Sequence, residues 1–106
     1  MLTNILILVW LHFFADFILQ TDKMAINKSS NVKWLSIHIL VYSLPLFYFG
    51  WKFALLNGAM HWITDFCTSR ATTYLWKKEE RHWFFVVIGL DQAIHMSCLF
   101  LTVGRI

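Results

Sequence analysis

The sequence predicts an all-α integral membrane protein, a bundle of four transmembrane helices with both termini on the outer side. Hydrophobic residues make up 58% of the 106 residues and charged residues 14%, whereas soluble domains average about 45–50% and about 25%. The long apolar runs lack the strict alternation of barrel strands. Helices are the other structure that satisfies every backbone polar group in lipid, so we expect helices. Ionisable residues nevertheless recur within these runs.

Charged residues and helix breakers divide the chain into four segments of about 20 residues, the length that crosses about 30 Å of hydrocarbon. The first segment, about residues 2–20, lacks the basic start and the small-residue cleavage site of a signal peptide, so we expect it in the mature chain. The second, about residues 32–50, contains Pro45, which predicts a kink in its outer half. The linker between them, residues 21–31, is long enough for a short helix and is the natural lid of a site at that end.

The third segment, about residues 52–74, is the least hydrophobic, and we expect its cytoplasmic end to project from the bilayer. The fourth segment covers about residues 83–103. Lysine and arginine are concentrated in the linkers between segments one and two and between segments three and four, which places both linkers in the cytoplasm and both termini outside. The four segments form a single domain, residues 1–106.

Three His/Asp pairs with a spacing of four residues lie within the apolar segments. The pairs are His12 with Asp16, His61 with Asp65, and Asp91 with His95. A spacing of four places both members of a pair on one helix face. Ionisable groups at membrane depth are costly to bury, so their presence indicates a functional site.

The predicted topology brings the three pairs to a common depth. Segments one and three run inward and segment four runs outward, and the order of the pair in segment four, Asp91 before His95, is reversed to match. We therefore expect an Asp layer nearer the cytoplasm and a His layer deeper in the membrane. His38, about five residues into segment two, enters near the Asp layer at about 1.5 Å per residue. Every helix then contributes to one polar centre.

Four stretches of the chain carry a family resemblance: HFFADFILQTDKMAINKS, LSIHILVYSLP, NGAMHWITDFCTSR and HWFFVVIGLDQAIH. They resemble the signature segments of a small bacterial and phage membrane protein family, catalogued as domain of unknown function 3307, and the resemblance covers nearly the whole chain. It implies a multi-pass protein of the inner membrane of a bacterium or a phage-infected host, and no settled activity. More distantly, His/Asp pairs on transmembrane helices are similar to those of membrane-bound metal-dependent hydrolases of the SOS-induced inner-membrane type, which favours a metal without identifying a substrate.

Four imidazoles and three carboxylates are ligand types that suit zinc, manganese and non-haem iron. The predicted ligands are His12, Asp16, His38, His61, Asp65, Asp91 and His95. Seven groups exceed the need of one four-coordinate ion, so the sequence predicts one or two divalent ions, with zinc favoured. The alternative is hydrogen bonding across the helices without a metal. The cost of burying several carboxylates unpaired favours the metal.

Other polar residues are candidates for catalysis or substrate contact. His38 and Asp16 are the candidate catalytic groups, with His38 as a general base if it is not a ligand. Gln20, Ser69 and Arg70 lie toward the cytoplasmic ends of their segments and are candidate substrate contacts. The guanidinium of Arg70 suits a phosphate or carboxylate. The alternative for Gln20 and Ser69 is a polar helix end, and for Arg70 an anchor among lipid headgroups.

Two functions of different classes fit these residues. The first is a metal-dependent hydrolase whose site opens to the cytoplasmic leaflet and cuts a lipid or lipid-linked substrate. The second is transport of ions, protons or small solutes through the Asp and His layers, for which four helices would need a homo-oligomer. A metal-stapled structural or adaptor protein is a third alternative. The net charge of +3 comes from residues that flank the membrane segments, so we expect membrane lipid as the partner, and not nucleic acid.

Overall fold

The protein is almost entirely helical over residues 2–105, the range that the computed structural model describes. Its helices in chain order are α1 (Leu2–Phe13), α2 (Asp22–Asn27), α3 (Val32–Leu46), α4 (Trp51–Lys77) and α5 (Arg81–Thr102). A π-helical turn, Phe14–Ile18, extends α1, and a 3-10 turn, Phe47–Phe49, extends α3. No strand occurs within the described range, so the all-α prediction is confirmed there.

Two helices are long and apolar enough to span a membrane: α3 with its 3-10 turn, Val32–Phe49, and α5. The predicted bundle of four spans therefore goes beyond what helix length and hydropathy establish. α1 with its π turn, Leu2–Ile18, is apolar but shorter. α4 has 27 residues, but Asn57, His61 and Asp65 lower its mean hydropathy although all three side chains are buried. Mean hydropathy counts these residues as if they faced outward, whereas they face the interior.

The helices alternate in direction, as pairs of contacting residues on neighbouring helices show. The pairs are Ser36–Trp62 and Ser43–Gly58 between α3 and α4, and Thr68–Asp91 and Asn57–Thr102 between α4 and α5. In each case the residue numbers rise on one helix as they fall on the other. The loop end of the bundle carries the linker 19–31 and the turn 78–80. The terminal end carries the start of α1, the end of α5 and the turn 47–50.

The outside of the bundle is more apolar than its interior. Among the described residues, ten buried side chains are hydrophobic and ten are polar or charged. By contrast, 26 large hydrophobic side chains are exposed, among them Leu2, Trp10 and Leu40, each at 65% or more. The polar side chains of the helices are therefore turned toward one another, and the apolar ones are turned outward.

The buried apolar side chains form a layer at the terminal end. Leu8 of α1, Leu46 of α3, Phe53 of α4 and Leu99 of α5 belong to one buried cluster. Tyr42 belongs to the same cluster and lies one turn closer to the loop end than Leu46. Full burial of a side chain of this kind contributes about 1.5–3 kcal/mol. This layer fills the interior between the polar side chains and the terminal end.

The linker between α1 and α3, residues 21–31 (the strap), crosses the loop end. Thr21 caps α2, since its Oγ1 accepts the backbone N–H of Met24 at 3.3 Å, and the Met24 side chain is buried. Asn31 caps α3 in the same way by accepting the backbone N–H of Lys33 at 2.9 Å. The caps fix both ends of the strap, and Met24 anchors its middle against the bundle.

Gly58 allows α4 to approach α3 closely. A Cβ added at Gly58 would collide with Ser43 Oγ, which donates to the Ile39 carbonyl at 2.8 Å. A Cβ added at Gly89 of α5 would meet nothing within 4 Å. Replacing a helical glycine with alanine otherwise stabilises a helix by about 1 kcal/mol. Alanine at Gly89 therefore changes helix propensity alone, whereas alanine at Gly58 changes both helix propensity and packing.

We predict that Gly58→Ala stabilises the protein less than Gly89→Ala does, by about 1 kcal/mol, because Ser43 Oγ must give up its hydrogen bond to Ile39. In a Ser43→Ala background the nearest remaining atoms would lie at 3.6 Å or beyond, so the deficit should disappear. Unfolding of the variants in detergent, followed by circular dichroism, measures these differences. An effect of Gly58→Ala that is the same in both backgrounds would contradict the prediction.

Candidate metal centre

Two polar side chains of α1 and its π turn, His12 and Asp16, point into the interior, and both are buried. Asp16 lies within the π turn. Such turns insert an extra residue into a helix and are frequent at functional sites. As a result, Asp16 Oδ2 lies 3.9 Å from His12 Nε2, while Asp16 Oδ1 faces α3 and α4.

The other three long helices contribute ionisable side chains at the same level of the bundle. These are His38 of α3, His61 and Asp65 of α4, and Asp91 and His95 of α5. The spacing of four on α4 and α5 turns both members of each pair inward. All are buried except Asp91, whose side chain is 13% exposed. The structure thus brings all seven predicted ligands together in one cluster.

Four donor atoms in this cluster lie close together and are called the four convergent donors. They are Asp16 Oδ1, His38 Nε2, His61 Nε2 and Asp65 Oδ2. His38 Nε2 lies 3.2 Å from Asp16 Oδ1, 3.3 Å from Asp65 Oδ2 and 3.3 Å from His61 Nε2. His61 Nε2 lies 3.5 Å from Asp16 Oδ1 and 3.3 Å from Asp65 Oδ2. These five separations are nearly equal.

Each of the five separations has the length of an edge of a tetrahedral metal site. Zinc binds histidine nitrogen and carboxylate oxygen at about 2.0–2.2 Å, usually with its ligands at the corners of a tetrahedron. The edge of a regular tetrahedron is about 1.63 times the distance from centre to corner, so the ligand atoms of such a site are about 3.3–3.6 Å apart. The observed separations of 3.2 to 3.5 Å match this length for five of the six edges, and the sixth edge joins the oxygens of Asp16 and Asp65.

The contact between His38 Nε2 and His61 Nε2 lies between two carboxylates. Each nitrogen also faces an oxygen of Asp16 and of Asp65. Imidazole N–H groups at these positions are able to donate to a carboxylate or to the other ring. A divalent cation at the centre would instead accept a lone pair from each of the four atoms. The donor set therefore suits a metal ion as well as a hydrogen-bonded network.

His95 connects this four-atom site to further donors. Its ring stacks on that of His61, with centroids 3.7 Å apart and planes 10° apart. His95 Nδ1 lies 3.4 Å from Asp91 Oδ2 and 3.8 Å from Asp16 Oδ2, and its Nε2 lies 3.9 Å from Asp65 Oδ1. Three groups of residues could each hold an ion: His12, Asp16 and His95; Asp16, His38 and His61; and His61, Asp65 and His95. Asp16 belongs to two of them, so its carboxylate is able to bridge two ions.

Gln92 of α5 ties α1 to the cluster. Its amide nitrogen donates to Asp16 Oδ2 at 3.2 Å and to Asp91 Oδ2 at 3.1 Å, and its oxygen accepts from His12 Nε2 at 2.8 Å. A neutral His12 that donates through Nε2 accepts the Tyr42 hydroxyl proton at Nδ1, at 3.1 Å. Gln92 was not among the predicted site residues, because the sequence left open whether it hydrogen-bonds beside the site or joins helices. The structure shows that it does both.

Lys28 of the strap was not predicted as a site residue either, yet it contacts the centre. Its Nζ donates to Asp65 Oδ2 at 3.1 Å, and the Lys28 side chain is 18% exposed. Of the lysines and arginines in the described range, it alone forms an ion pair with a carboxylate. From the sequence alone, Lys28 is one of several lysines that are expected on the cytoplasmic side. The signal that could have identified it is the excess of carboxylates within the helices, since a loop cation has to offset part of that charge.

A cavity of about 300 Å³ adjoins the centre at the loop end. Its lining includes the three carboxylates and two of the predicted substrate contacts: Asp16, Asp65, Asp91, Gln20 and Ser69. Ser69 Oγ and Gln20 Oε1 are buried atoms that have no hydrogen-bond partner among the described residues. The cavity therefore joins the acidic side of the centre to polar groups that are free to bind a ligand.

Arg70, the third predicted substrate contact, lies away from this cavity. Its guanidinium stacks on the Phe66 ring, 3.7 Å from the ring centre, and donates to the Phe66 carbonyl at 2.9 Å. Neighbouring residues on a helix are rotated by about 100° because a turn contains about 3.6 residues. When Ser69 faces the cavity, Arg70 is consequently turned to the side of α4.

Comparison with known proteins gives a family and no activity. The family model described as "Protein of unknown function (DUF3307)" matches residues 3–105, which include every residue of the cluster. No curated protein and no solved structure matches the chain.

We predict that Gln92→Leu lowers the free energy of unfolding by about 1–3 kcal/mol, because it leaves buried groups of His12 and Asp16 without hydrogen bonds. Gln20→Leu is the matched control: the side chain changes in the same way, but Gln20 Oε1 makes no hydrogen bond. We expect its effect to stay within about 0.5 kcal/mol. Denaturant unfolding in detergent micelles gives both values, and equal losses would show that the Gln92 bridge contributes no stability.

Proposed function

The chain belongs to the DUF3307 family, whose function is unknown, and we propose that it is a membrane-embedded metal-binding protein that acts as a metal-dependent hydrolase on a lipid or lipid-linked substrate. The observation that carries this proposal is the meeting of Asp16, His38, His61 and Asp65, whose donor atoms show five separations that each match the edge of a tetrahedral metal site. The cavity at the loop end gives access to that centre. The structure contains buried His and Asp groups that could hold a metal. That the protein uses such a metal for hydrolysis is what we propose.

A membrane location is supported by the distribution of side chains. Large exposed apolar surface marks contact with a membrane or a partner, and here it covers helices whose buried faces are polar. The longest dimension of the bundle is 42 Å, close to the thickness of a bilayer with its headgroups, about 40–45 Å. We propose that α1 and α4 cross the inner membrane together with α3 and α5. The loop end then lies in the cytoplasm, where its lysines and arginines belong.

We assign the first ion to the four convergent donors. His12, Asp91 and His95 either bind a second ion together with Asp16 Oδ2 or hold the first ligands in place through hydrogen bonds. Neither ring nitrogen of His95 has a hydrogen-bond partner among the described residues. Because a buried imidazole without partners is costly, His95 favours the second ion. Two adjacent ions are the arrangement in which many hydrolases stabilise both the attacking and the leaving oxygen.

A divalent ion in this position would act as a Lewis acid and activate water near neutral pH. The chain's own residues hold and orient the centre. Asp16 and Asp65 offset the charge of the ion, and Gln92 fixes the Asp16 carboxylate. His38, predicted as a catalytic group, lies 3.2–3.3 Å from both carboxylates and serves in this proposal as a ligand. Lys28 supplies positive charge on the cavity side.

The number of ligands separates a catalytic ion from a structural one. Four protein ligands complete the shell of a structural zinc, whereas catalysis requires a further position for water or substrate. Zinc expands to five ligands during catalysis, and manganese and iron accept more. The cavity reaches the carboxylate side of the centre, so a fifth ligand has room to enter there. We therefore propose zinc first, with manganese or iron as alternatives.

Transport is less well supported, because the buried polar side chains on the terminal side of the histidines are Ser43 and Asn57, which hydrogen-bond to Ile39, Phe53 and Thr102, and an apolar layer lies beside them. At the terminal end the interior is filled by Leu8, Leu46, Phe53 and Leu99. Polar residues that conduct ions across a membrane line a continuous pathway, and this apolar layer interrupts it. The arrangement favours a site that is entered from the loop end.

We predict that the purified protein holds at least one divalent ion per chain, measurable by elemental analysis. His38→Ala and Asp65→Ala each remove one of the four convergent donors and should weaken metal binding by more than about 100-fold, since loss of even an outer-shell partner costs about 10–100-fold. His82→Ala is the control, because His82 is exposed at the start of α5. Circular dichroism establishes that each variant is folded. A folded wild-type protein that takes up no metal would falsify the proposal.

Cobalt(II) in place of the native ion distinguishes a hydrolase from a metal-stapled structural protein. We predict that the visible absorption of the cobalt protein changes when a small anion is added, because the cavity admits a fifth ligand. Hydrolysis of a lipid phosphoester should then require the metal and be absent in Asp65→Ala. A four-coordinate spectrum that no anion alters, together with no metal-dependent hydrolysis, would identify the ion as structural.

A further inference from the structure

The cavity at the loop end is lined by two chemically different sets of side chains, called here its polar wall and its apolar wall. One wall is polar and includes Lys28, Ser69 and the carboxylates of the centre. The other wall is apolar and consists mainly of Phe17 of the π turn with Phe84 and Ile88 of α5. A site for a small ion or for water alone needs no apolar wall. The lining therefore suits a ligand that is polar at one end and apolar at the other.

The polar wall offers hydrogen-bond donors from two directions. Lys28 reaches into the cavity from the strap. Ser69 projects from α4, is 6% exposed, and its Oγ has no hydrogen-bond partner among the described residues. Buried polar groups are normally paired, so an unpaired hydroxyl at a cavity wall indicates a ligand that pairs with it. An ammonium and a hydroxyl that face one space suit an anion with several oxygens.

Lys28 becomes available to such an anion when the centre holds a metal ion. Its Nζ donates to Asp65 Oδ2, which is also one of the four convergent donor atoms. A divalent ion on the same oxygen offsets the charge of the carboxylate and repels the ammonium. The attraction between Lys28 and Asp65 then weakens. An anionic group in the cavity gains from the ammonium and from the ion together.

The apolar wall reaches the outer surface of the bundle between α1 and α5. Phe17 lines the cavity and is also 49% exposed, so it belongs to both surfaces. Phe84 and Ile88 are one turn apart on α5, line the cavity and are partly exposed. Toward the terminal end, the Gln92 bridge to α1 closes the seam between the two helices. A hydrocarbon chain is therefore able to leave the cavity sideways on the loop side of Gln92.

We propose that the cavity binds the phosphoryl group of a lipid phosphate, with Lys28 and Ser69 on the phosphoryl oxygens and the hydrocarbon chain leaving past Phe17 between α1 and α5. A phosphoryl group has enough oxygens to contact the ion, the ammonium and the hydroxyl at once, whereas a carboxylate has two. Lysine is a common phosphate ligand. This inference rests on the proposed function and names its substrate class.

The test compares a lipid phosphate with ligands that lack either its phosphoryl group or its hydrocarbon chains. Purified metal-loaded protein in detergent is titrated with phosphatidic acid, with diacylglycerol and fatty acid of the same chain length, and with inorganic phosphate, and binding is followed by native mass spectrometry. We expect phosphatidic acid to bind about 10-fold or more tightly than diacylglycerol, because hydrogen bonds to a charged group account for at least that factor. Inorganic phosphate, which lacks the chain, should bind more weakly than phosphatidic acid.

Substitutions in the polar wall and in the apolar wall test whether each wall contributes to lipid binding. Lys28→Met should weaken phosphatidic acid binding by about 10-fold, Lys28→Arg should largely preserve it, and Lys33→Met, at an exposed lysine of α3, is the matched control. Ser69→Ala tests the same wall from α4 if Lys28→Met does not fold. Phe17→Ser should weaken phosphatidic acid binding without changing that of inorganic phosphate. Metal content and circular dichroism are measured for every variant.

The outcomes separate this inference from the proposed function. Equal binding of phosphatidic acid and diacylglycerol, or unchanged binding in both Lys28→Met and Ser69→Ala, overturns the inference, while bound metal leaves the proposed function standing. Inorganic phosphate that binds as tightly as phosphatidic acid overturns the lipid assignment. Fatty acid that binds as tightly overturns the phosphoryl assignment. A folded protein without metal overturns the proposed function itself.

Discussion

The interior is organised around three carboxylates that lie where little water reaches them. Asp16 and Asp65 are 5% and 2% exposed, and an unpaired charge at such a position costs several kcal/mol. Within the described range, the groups that offset this charge are four imidazoles and the single ammonium of Lys28. Two of the imidazoles present Nε2 to both carboxylates and to each other. Buried groups in this arrangement could hold a metal ion.

The same constraint accounts for features that have no other obvious connection. The π turn directs one oxygen of Asp16 toward α3 and α4. Gly58 lets α4 approach α3, and further along α4 the Asp65 carboxylate comes within 3.3 Å of His38. The strap folds back across the loop end and delivers Lys28. Each feature shortens the distance between a carboxylate and a group that offsets its charge, and Coulomb energy varies inversely with that distance.

That the cluster residues meet could be predicted from the sequence. A spacing of four places both members of a pair on the same face of a helix, and the alternating direction of the helices places the pairs at a similar height in the bundle. The helices themselves followed from the apolar runs, but a membrane span for α4 is not established by mean hydropathy, which counts the inward-facing Asn57 in the same way as an exposed residue. Lys28 could not be predicted, because periodicity does not describe the path of a strap across the end of a bundle. Arg70 was placed near a substrate from its position along α4, yet its guanidinium contacts its own helix. Whether the cluster binds metal stays a prediction.

The two ends of the interior differ in what they admit. At the terminal end, Leu8, Leu46 and Phe53 fill the space, and a divalent ion that crossed them would lose its hydration without gaining ligands. At the loop end, the cavity presents an amide, a hydroxyl and an ammonium. In the proposed function, ions and ligands would therefore enter and leave at the same end, and a site with one entrance would exchange what it holds instead of passing it through the bundle. The apolar wall beside Phe17 lies at that end too, so a lipid would meet the centre from the side on which the ion is reached.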